Sequence, residues 1–378
     1  MVWFQIIASL IGVVILVFLA MRLTVYFRAT RLLLQVARGS DGGQPGRYAV
    51  RITSGEYEHT PGELQPFDVY GPIGRDNAPL LVILHGATSY GEKHAIIQQL
   101  ARALAAAGIT VVIPRLPKLK QVLIDSTTVE SIFTFYSFIQ GSALAGNRPV
   151  SLMSTSFAGG FMLKALLDQR MWERPPGAIL AYGSYCDLET TLRYILTGGS
   201  GDHDSEQTVE PDPWGQIIFF YNYLDEIDGD FDRSSLKAVL EFYINDRPLE
   251  GDAARQSLGR REQELAELIT TPGNPDSLDL AMRVLEKVRP RLRSLSPAAF
   301  CDRINFPLWI LHGKHDRAVP YTEALRLKSL LGSEAKLMVT ELFGHRDLAL
   351  RFNLPALKEM VLLITFIGRF LRALEQAK

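Results

Sequence analysis

The sequence predicts an α/β protein in which a mostly parallel sheet is covered by helices on both faces. Six short runs are apolar almost throughout and end in turn residues, which is typical of strands buried on both sides. They are PLLVILHG (79–86), ITVVIP (109–114), PVSLMS (149–154), GAILAYG (177–183), PLWILHG (307–313) and AKLMVTEL (335–342). Helical patterns alternate with these runs, as in a doubly wound sheet.

Two further strands are expected before the first apolar run. RYAVRIT (47–53) and LQPFDVY (64–70) alternate apolar and polar residues with period two. A helix is expected over residues 89–108, because Ser89 and Glu92 have capping-box spacing and Gly108 is a stop signal. FAGGFMLKALLD, after the third apolar run, also has a helical pattern.

The alternation of strands and helices is interrupted between Asp187 and about Phe300. This stretch has helical periodicity and no buried-strand pattern. We therefore expect an α/β core formed by residues 48–186 and 301–378, with a helical cap inserted at residues 187–300.

The N-terminus has the composition of a membrane anchor. Val2–Met21 is 20 residues without a charged side chain, long enough for a helix of about 30 Å to cross a bilayer. A cleaved signal peptide and a buried or interfacial helix are the alternatives, and a signal peptide requires a positive charge before the apolar core. Here the charges follow it, which places the rest of the chain on the cytoplasmic side of a single-pass anchor; they are Arg22, Arg28, Arg31 and Arg38. Residues 1–38 are thus interpreted as anchor and juxtamembrane segment, and residues 39–47, which include GSDGGQPG, as a flexible linker.

Composition excludes several classes of function. The chain has 378 residues, 47% of them hydrophobic, and a formal net charge of −1, so it lacks the basic excess of a nucleic-acid-binding protein. Its two cysteines cannot form a disulfide framework, and no Cys/His cluster has zinc-ligand spacing. No metal or organic cofactor is expected.

The stretch SLMSTSFAGG (151–160) is the candidate for a nucleophile. An apolar strand runs into a tight turn and then into a helix, which is the context of a nucleophile elbow. The sharp turn requires small residues two positions before and after the nucleophile, and Ser154 and Ala158 meet this requirement for Ser156. With Ser154 as nucleophile, Leu152 would occupy the first small position, so Ser156 is favoured. A plain Ser-rich turn is the alternative.

A serine hydroxyl needs a general base, which a carboxylate orients. His345, after Gly344 and the last strand, is placed to project over the carboxyl edge of the sheet, where ligands bind in open α/β folds. His315 is the rival base, whereas His85 and His312, each in an LHG motif, are interpreted as structural or pocket-lining residues.

The expected acid is Asp316, in the loop WILHGKHDRAVP, and Asp187 is the alternative. The oxyanion formed during acyl transfer needs two N–H donors. The backbone amide of Phe157, directly after the nucleophile, is one, and that of Ala87, after VILHG, is the other.

These motifs together resemble the α/β-hydrolase superfamily, in its cap-inserted serine esterase, lipase and peptidase branches. The resemblance rests on LHGAT (84–88), the elbow (154–158), LHGKHDRAVP (311–320) and GH (344–345), in the chain order Ser, Asp, His. It implies a cap between the sixth and seventh core strands. The elbow lacks the usual flanking glycines, and IPRLPKLK stands where monoglyceride-lipase-like members have Asp-x-Arg-Gly-x-Gly.

The expected function is that of a membrane-tethered serine hydrolase which cleaves carboxylic esters, including lipid or acylated ones, through an acyl-enzyme. Its partners are then a small-molecule or lipid ester and the membrane, the latter through residues 2–21; nucleic acid is not a partner. A peptidase or acyltransferase with the same three residues, and a non-catalytic scaffold whose cap binds a partner, are the alternatives. The oligomeric state is not predicted.

Overall fold

A computed structural model describes residues 24, 26–37, 47–199, 212–271, 273–342 and 354–377. Within these residues, an eight-stranded sheet forms the centre of the protein. Its strands are β1 (Val50–Thr60), β2 (Glu63–Pro72), β3 (Leu80–Leu84), β4 (Thr110–Pro114), β5 (Val150–Thr155), β6 (Ile179–Tyr182), β7 (Leu308–Gly313) and β8 (Ala335–Thr340).

The strands lie in the order β1-β2-β4-β3-β5-β6-β7-β8. The first two pair antiparallel with each other, and β2 also pairs antiparallel with β4. The six strands from β4 to β8 in this order are parallel. They are the six apolar runs of the sequence, so the prediction of a mostly parallel sheet is confirmed. β1 is longer than predicted, because it forms a hairpin with β2 that reaches Thr60.

The helices are α1 (including residues 26–37), α2 (Ala95–Ala106), α3 (Pro117–Lys120), α4 (Thr127–Gly141), α5 (Ala158–Ala165), α6 (Gln169–Glu173), α7 (Leu188–Thr197), α8 (Pro213–Tyr223), α9 (Arg233–Ile244), α10 (Pro248–Arg255), α11 (Arg260–Thr270), α12 (Pro275–Leu295), α13 (Thr322–Leu331) and α14 (Leu354–Gln376). Short 3₁₀ turns lie at Gly91–Lys93, Leu224–Glu226, Pro297–Ala299, Cys301–Arg303 and Gly332–Glu334.

The expected capping box before α2 is not formed. The helix begins at Ala95, and the preceding residue His94 has an extended backbone. The carboxylate of Glu92 is turned away from the helix and pairs with Arg115, at 2.6 and 3.0 Å. A long-range ion pair therefore replaces the local cap. The expected stop at Gly108 is present, with φ at +95°.

Each face of the sheet has its own hydrophobic core. Alternate residues of a strand point to opposite faces, and β3 shows this directly. Leu80, Val82 and Leu84 pack with α4, α5 and the helices that follow β6, whereas Leu81 and Ile83 pack with α1, α2 and α14. The sheet is thus covered on both sides, as its continuous apolar strands require.

The stretch between β6 and β7 is helical in the parts described, 183–199, 212–271 and 273–307, and contains α7 to α12. Its two ends lie side by side. The Ala298 N–H donates to the Cys186 carbonyl at 2.9 Å, and the Leu188 N–H donates to Ser296 Oγ at 2.9 Å. The region between these ends is called the cap below.

Helix α1 packs onto the core. Ala29, Leu32 and Val36 are buried, and the Arg28 guanidinium forms an ion pair with Glu375 of α14 at 2.8 Å. Residues 26–37 therefore pack as part of the α/β unit, although the sequence grouped them with the membrane segment.

No helix among the described residues combines the length and apolar composition needed to cross a bilayer. The proposed anchor, Val2–Met21, and all of the proposed linker except its last residue, 47, lie outside the described residues.

Candidate active site

Ser156 occupies a sharp turn between β5 and α5. Its φ is +54°, a left-handed conformation that residues other than glycine seldom adopt. The turn is held on both sides, because the Ser156 N–H donates to the Tyr182 carbonyl at 2.8 Å and its carbonyl accepts from the Gly159 N–H at 3.0 Å. A strained serine between a strand and a helix is the geometry of a nucleophile elbow. The side chain is half-buried.

The two glycines after the turn allow α5 to pack closely against the end of β6. A Cβ on Gly159 would lie 1.8 Å from Ser184 Oγ, and one on Gly160 would lie 2.1 Å from Tyr185 Cζ. A larger residue at either position would force the neighbouring side chain to shift. The rejected nucleophile Ser154 is fully buried here, and its hydroxyl has no hydrogen-bond partner among the described residues.

The loop after β3 lies directly against the turn. The Gly86 N–H donates to Thr155 Oγ1 at 3.0 Å, and that hydroxyl donates to the Leu84 carbonyl at 3.3 Å. A Cβ on Gly86 would lie 2.8 Å from Ser156 Cβ. Thr155 therefore bridges β3 and β5, and it holds Gly86, the residue before Ala87, against the serine. No local pattern singles out Thr155, because its role depends on partners about seventy residues away in the chain.

Two backbone amides belong to the segments that meet at this turn: that of Phe157 directly follows Ser156, and that of Ala87 follows Gly86, which lies against Ser156. In the part of the chain that the structure describes, neither the Ala87 N–H nor the Phe157 N–H is hydrogen-bonded to an acceptor. Most buried or half-buried backbone amides are paired, so two unpaired donors beside one serine form a candidate oxyanion site.

His85 has a structural role in this loop. Its Nε2 accepts from the Leu116 N–H at 3.0 Å, so the proton is on Nδ1, which donates to the Gly86 carbonyl at 2.8 Å. The ring is fully buried, and burial lowers the pKa of His85 to about 4. A neutral histidine with both ring nitrogens engaged cannot serve as a base, in agreement with the interpretation from sequence.

Asp316 lies in the loop that follows β7. One carboxylate oxygen accepts from the Ala318 and Val319 N–H groups, both at 2.8 Å, and the other is 3.5 Å from His312 Nε2. The side chain is 2% exposed, and the Tyr194 hydroxyl of the cap donates to the Asp316 carbonyl at 2.8 Å. Backbone donors to a buried carboxylate stabilise its charged form. The rival base His315 is exposed to solvent.

Asp187, the alternative acid, serves as the N-cap of α7. Its carboxylate accepts from the Glu189 N–H at 2.8 Å, an ordinary capping contact. A buried acid that the sequence did not single out lies close by. Glu323 accepts from the Cys186 and Asp187 N–H groups at 2.9 and 2.6 Å, and burial raises the pKa of its carboxyl.

The expected base, His345, lies outside the described residues. The structure therefore places Phe157 directly after Ser156 and Gly86, the residue before Ala87, against Ser156, and it places Asp316 in the loop after β7. The assignment of His345 stays a prediction, as do the roles of the other four residues.

No protein-family model and no curated protein matches this chain. A candidate hydrolase from Legionella pneumophila has a similar structure, with 14% identity over 93% of this chain and 96% of its own, and a TM-score of 0.54. A puromycin hydrolase matches with 14% identity over 90% of this chain and a TM-score of 0.52.

This chain spans about two fifths of the length of that puromycin hydrolase, 41%. At such low identity the likeness concerns the fold alone. The strand order, the antiparallel β2 and the elbow after β5 agree with it. The protein therefore has the α/β-hydrolase fold.

Proposed function

We propose that this protein is a serine hydrolase that cleaves carboxylic esters through an acyl-enzyme on Ser156. The observation that carries the proposal is the left-handed backbone of Ser156 at the β5–α5 turn, with φ at +54°. Backbone strain of this kind persists only where the surrounding structure imposes it, and it is concentrated at functional sites.

In the proposed reaction, the Ser156 hydroxyl attacks the ester carbonyl and gives its proton to His345. The amides of Ala87 and Phe157 donate to the oxyanion of the tetrahedral intermediate. The intermediate collapses, the C–O bond to the alcohol breaks, and His345 protonates the leaving oxygen. Water then attacks the acyl-enzyme by the same route, while Asp316 stabilises the imidazolium.

Labelling of the full-length, membrane-extracted protein with a fluorophosphonate probe tests the proposal. The probe reacts with an activated serine, so Ser156→Ala should abolish labelling and His345→Ala should reduce it sharply. Ser154→Ala is the matched control, since its buried, unpartnered hydroxyl has no expected role. Equal labelling of all four proteins, or of none, would favour the non-catalytic scaffold.

Ester hydrolysis is proposed over peptide cleavage and acyl transfer as the default reaction of this site. The three reactions share one fold and one set of residues. Product analysis distinguishes them: an added alcohol or amine that captures the acyl group identifies a transferase, and cleavage of a peptide substrate identifies a peptidase.

We also propose that residues 2–21 anchor the protein in a membrane with the hydrolase domain on the cytoplasmic side. Because α1 follows shortly after this segment and packs on the core, such an anchor would hold the domain close to the bilayer and to lipid-like esters. Resistance to alkaline carbonate extraction, together with protease accessibility from the cytoplasmic side, is expected. Release by carbonate would contradict the anchor. Rapid turnover of soluble esters with none of lipid esters would instead contradict the preference for lipid-like substrates.

A further inference from the structure

The loop that carries Ala87 is held by the segment between β4 and α4, residues 115–124. The Thr88 N–H donates to the Leu119 carbonyl at 3.0 Å, directly after the candidate oxyanion donor. The Lys120 ammonium donates to the Ser89 carbonyl at 2.7 Å. The His85–Leu116 and Glu92–Arg115 contacts described above join the same two segments. The position of the Ala87 amide therefore depends on residues 115–124.

The same segment is held from the opposite direction by one cap residue, Asn222 of α8. Its Oδ1 accepts from the Ile124 N–H at 2.7 Å, and its Nδ2 donates to the Val122 carbonyl at 2.9 Å. Nδ2 also donates to the Ile218 carbonyl of its own helix at 2.9 Å. The surrounding donors and acceptors fix the orientation of the amide, because a flipped side chain would face an N–H with its NH₂ and two carbonyls with its oxygen.

The residue between these two contacts is strained. Val122 has φ at +59° and is 1% exposed. A β-branched residue in the left-handed region is an outlier that needs external support. Asn222 supplies it, since its two contacts hold the carbonyl of Val122 and the amide two residues later.

We propose that Asn222 is a positioning residue that couples the seating of the cap to the geometry of the oxyanion site; this inference rests on the proposed function. With the cap in place, Asn222 holds Val122 in its left-handed conformation. The Val122 N–H then reaches the Leu119 carbonyl at 3.1 Å, and that carbonyl holds Thr88, next to Ala87. Without the contact, Val122 leaves the left-handed conformation and the Leu119–Thr88 hydrogen bond is displaced. The Ala87 amide then no longer points at the oxyanion. The site is therefore competent only when the cap is seated.

The test measures kcat for a soluble activated ester with the full-length protein. The concentration of active sites is obtained by titration with a fluorophosphonate probe. Asn222→Leu, which removes all three hydrogen bonds, should lower kcat by about 10- to 100-fold, because a displaced oxyanion donor acts on the transition state. KM should change little. Asn222→Asp keeps the acceptor for the Ile124 N–H and loses the Nδ2 donor to the Val122 carbonyl, so it should also lower kcat. It serves as the test if Asn222→Leu does not fold.

Gln216→Leu is the matched control on the same helix. The Gln216 amide donates to the Ile269 carbonyl at 2.7 Å, so its contact stays within the cap. It should lower thermal stability while leaving kcat near the wild-type value.

Rescue by Val122→Gly separates positioning from a structural role. Glycine adopts positive φ without support, so Val122→Gly should restore most of the kcat lost in Asn222→Leu, although loss of the valine side chain lowers the melting temperature further. If Asn222 served only to stabilise the fold of the cap, Val122→Gly would not restore kcat while the melting temperature stayed low.

Three outcomes overturn the inference. The first is an unchanged kcat per labelled site in both Asn222→Leu and Asn222→Asp. The second is a loss of kcat in Gln216→Leu as large as that in Asn222→Leu. The third is a kcat of the Asn222→Leu/Val122→Gly double variant no higher than that of Asn222→Leu alone. In each of these the wild-type protein is labelled and active, so the proposed function stands. A wild-type protein that is neither labelled nor active removes both proposals together.

Discussion

Gly86 lies against Ser156 so closely that a single added carbon does not fit between them. A Cβ on Gly86 would be 2.8 Å from Ser156 Cβ and 3.1 Å from the Thr155 carbonyl oxygen. Neither of these atoms is the end of a flexible side chain, so the turn itself would have to move.

Gly86→Ala is therefore expected to reduce esterase activity and fluorophosphonate labelling by about 100-fold or more, because a displacement of about 1 Å at a nucleophile has effects of this size. Gly141→Ala is the control, since a Cβ there meets nothing within 4 Å, and it should retain full activity. Labelling kinetics of the two purified variants test the expectation, and normal labelling of Gly86→Ala would show that the turn is not rigid.

Gly159→Ala should destabilise the protein by about 1–3 kcal/mol, the usual effect of overpacking a core. The added methyl group overlaps Ser184, whose Oγ and Cβ lie 1.8 and 2.3 Å from it. Chemical denaturation gives the free energy of unfolding. Ser184→Gly in the same protein should recover part of the loss, and no recovery would mean that another contact is responsible.

Asp316→Asn is expected to lower kcat/KM by about 10²- to 10⁴-fold while the fold is retained, because asparagine still accepts hydrogen bonds but cannot stabilise an imidazolium. Asp187→Asn should change activity by less than about 2-fold, since asparagine is as good an N-cap as aspartate. Steady-state kinetics of the two variants distinguish the two acids. A large loss in Asp187→Asn alone would reverse the assignment.

The burial of His85 predicts a pH-dependent stability. Its pKa falls from the ordinary 6.5 to about 4 in the folded protein, so between these pH values the unfolded chain binds more protons. The contribution of His85 is thus fully present above about pH 6.5, and it is lost as the pH falls towards 4. The full loss is on the order of 3 kcal/mol.

Denaturation curves between pH 7.5 and 4 measure this effect as the difference between the wild-type protein and His85→Gln. Glutamine can accept from the Leu116 N–H but does not titrate. The wild-type protein should lose more stability on acidification than the variant. Parallel pH profiles for the two proteins would show that His85 is not the group responsible.

Much of the fold was predictable because its signals are local. The six parallel strands follow from apolar runs bounded by turn residues, and the turn at Ser156 follows from small residues at Ser154 and Ala158. Such patterns depend on side-chain size and on a period of two, which neighbouring residues display without any knowledge of the rest of the chain.

The prediction of the start of α2 was wrong for a physical reason. Ser89 and Glu92 have the spacing of a capping box, but Glu92 is fully buried and pairs with Arg115, 23 residues further along. An unpaired buried carboxylate costs more free energy than a helix N-terminus that lacks a side-chain cap. Local spacing therefore gave the wrong partner.

By itself, the sequence determined the order of the strands along the chain and the position of the turn at Ser156, and it supplied the candidate residues for acyl transfer, whose roles stay predictions. The tertiary structure alone decided which segments meet: α1 with α14, Glu92 with Arg115, and Asn222 with Val122, a hundred residues away. These pairings depend on how the sheet twists and where the cap returns to the core. A single polar residue such as Asn222 creates no repeating pattern in the sequence. Its hydrogen-bond partners can therefore be identified only from the folded structure.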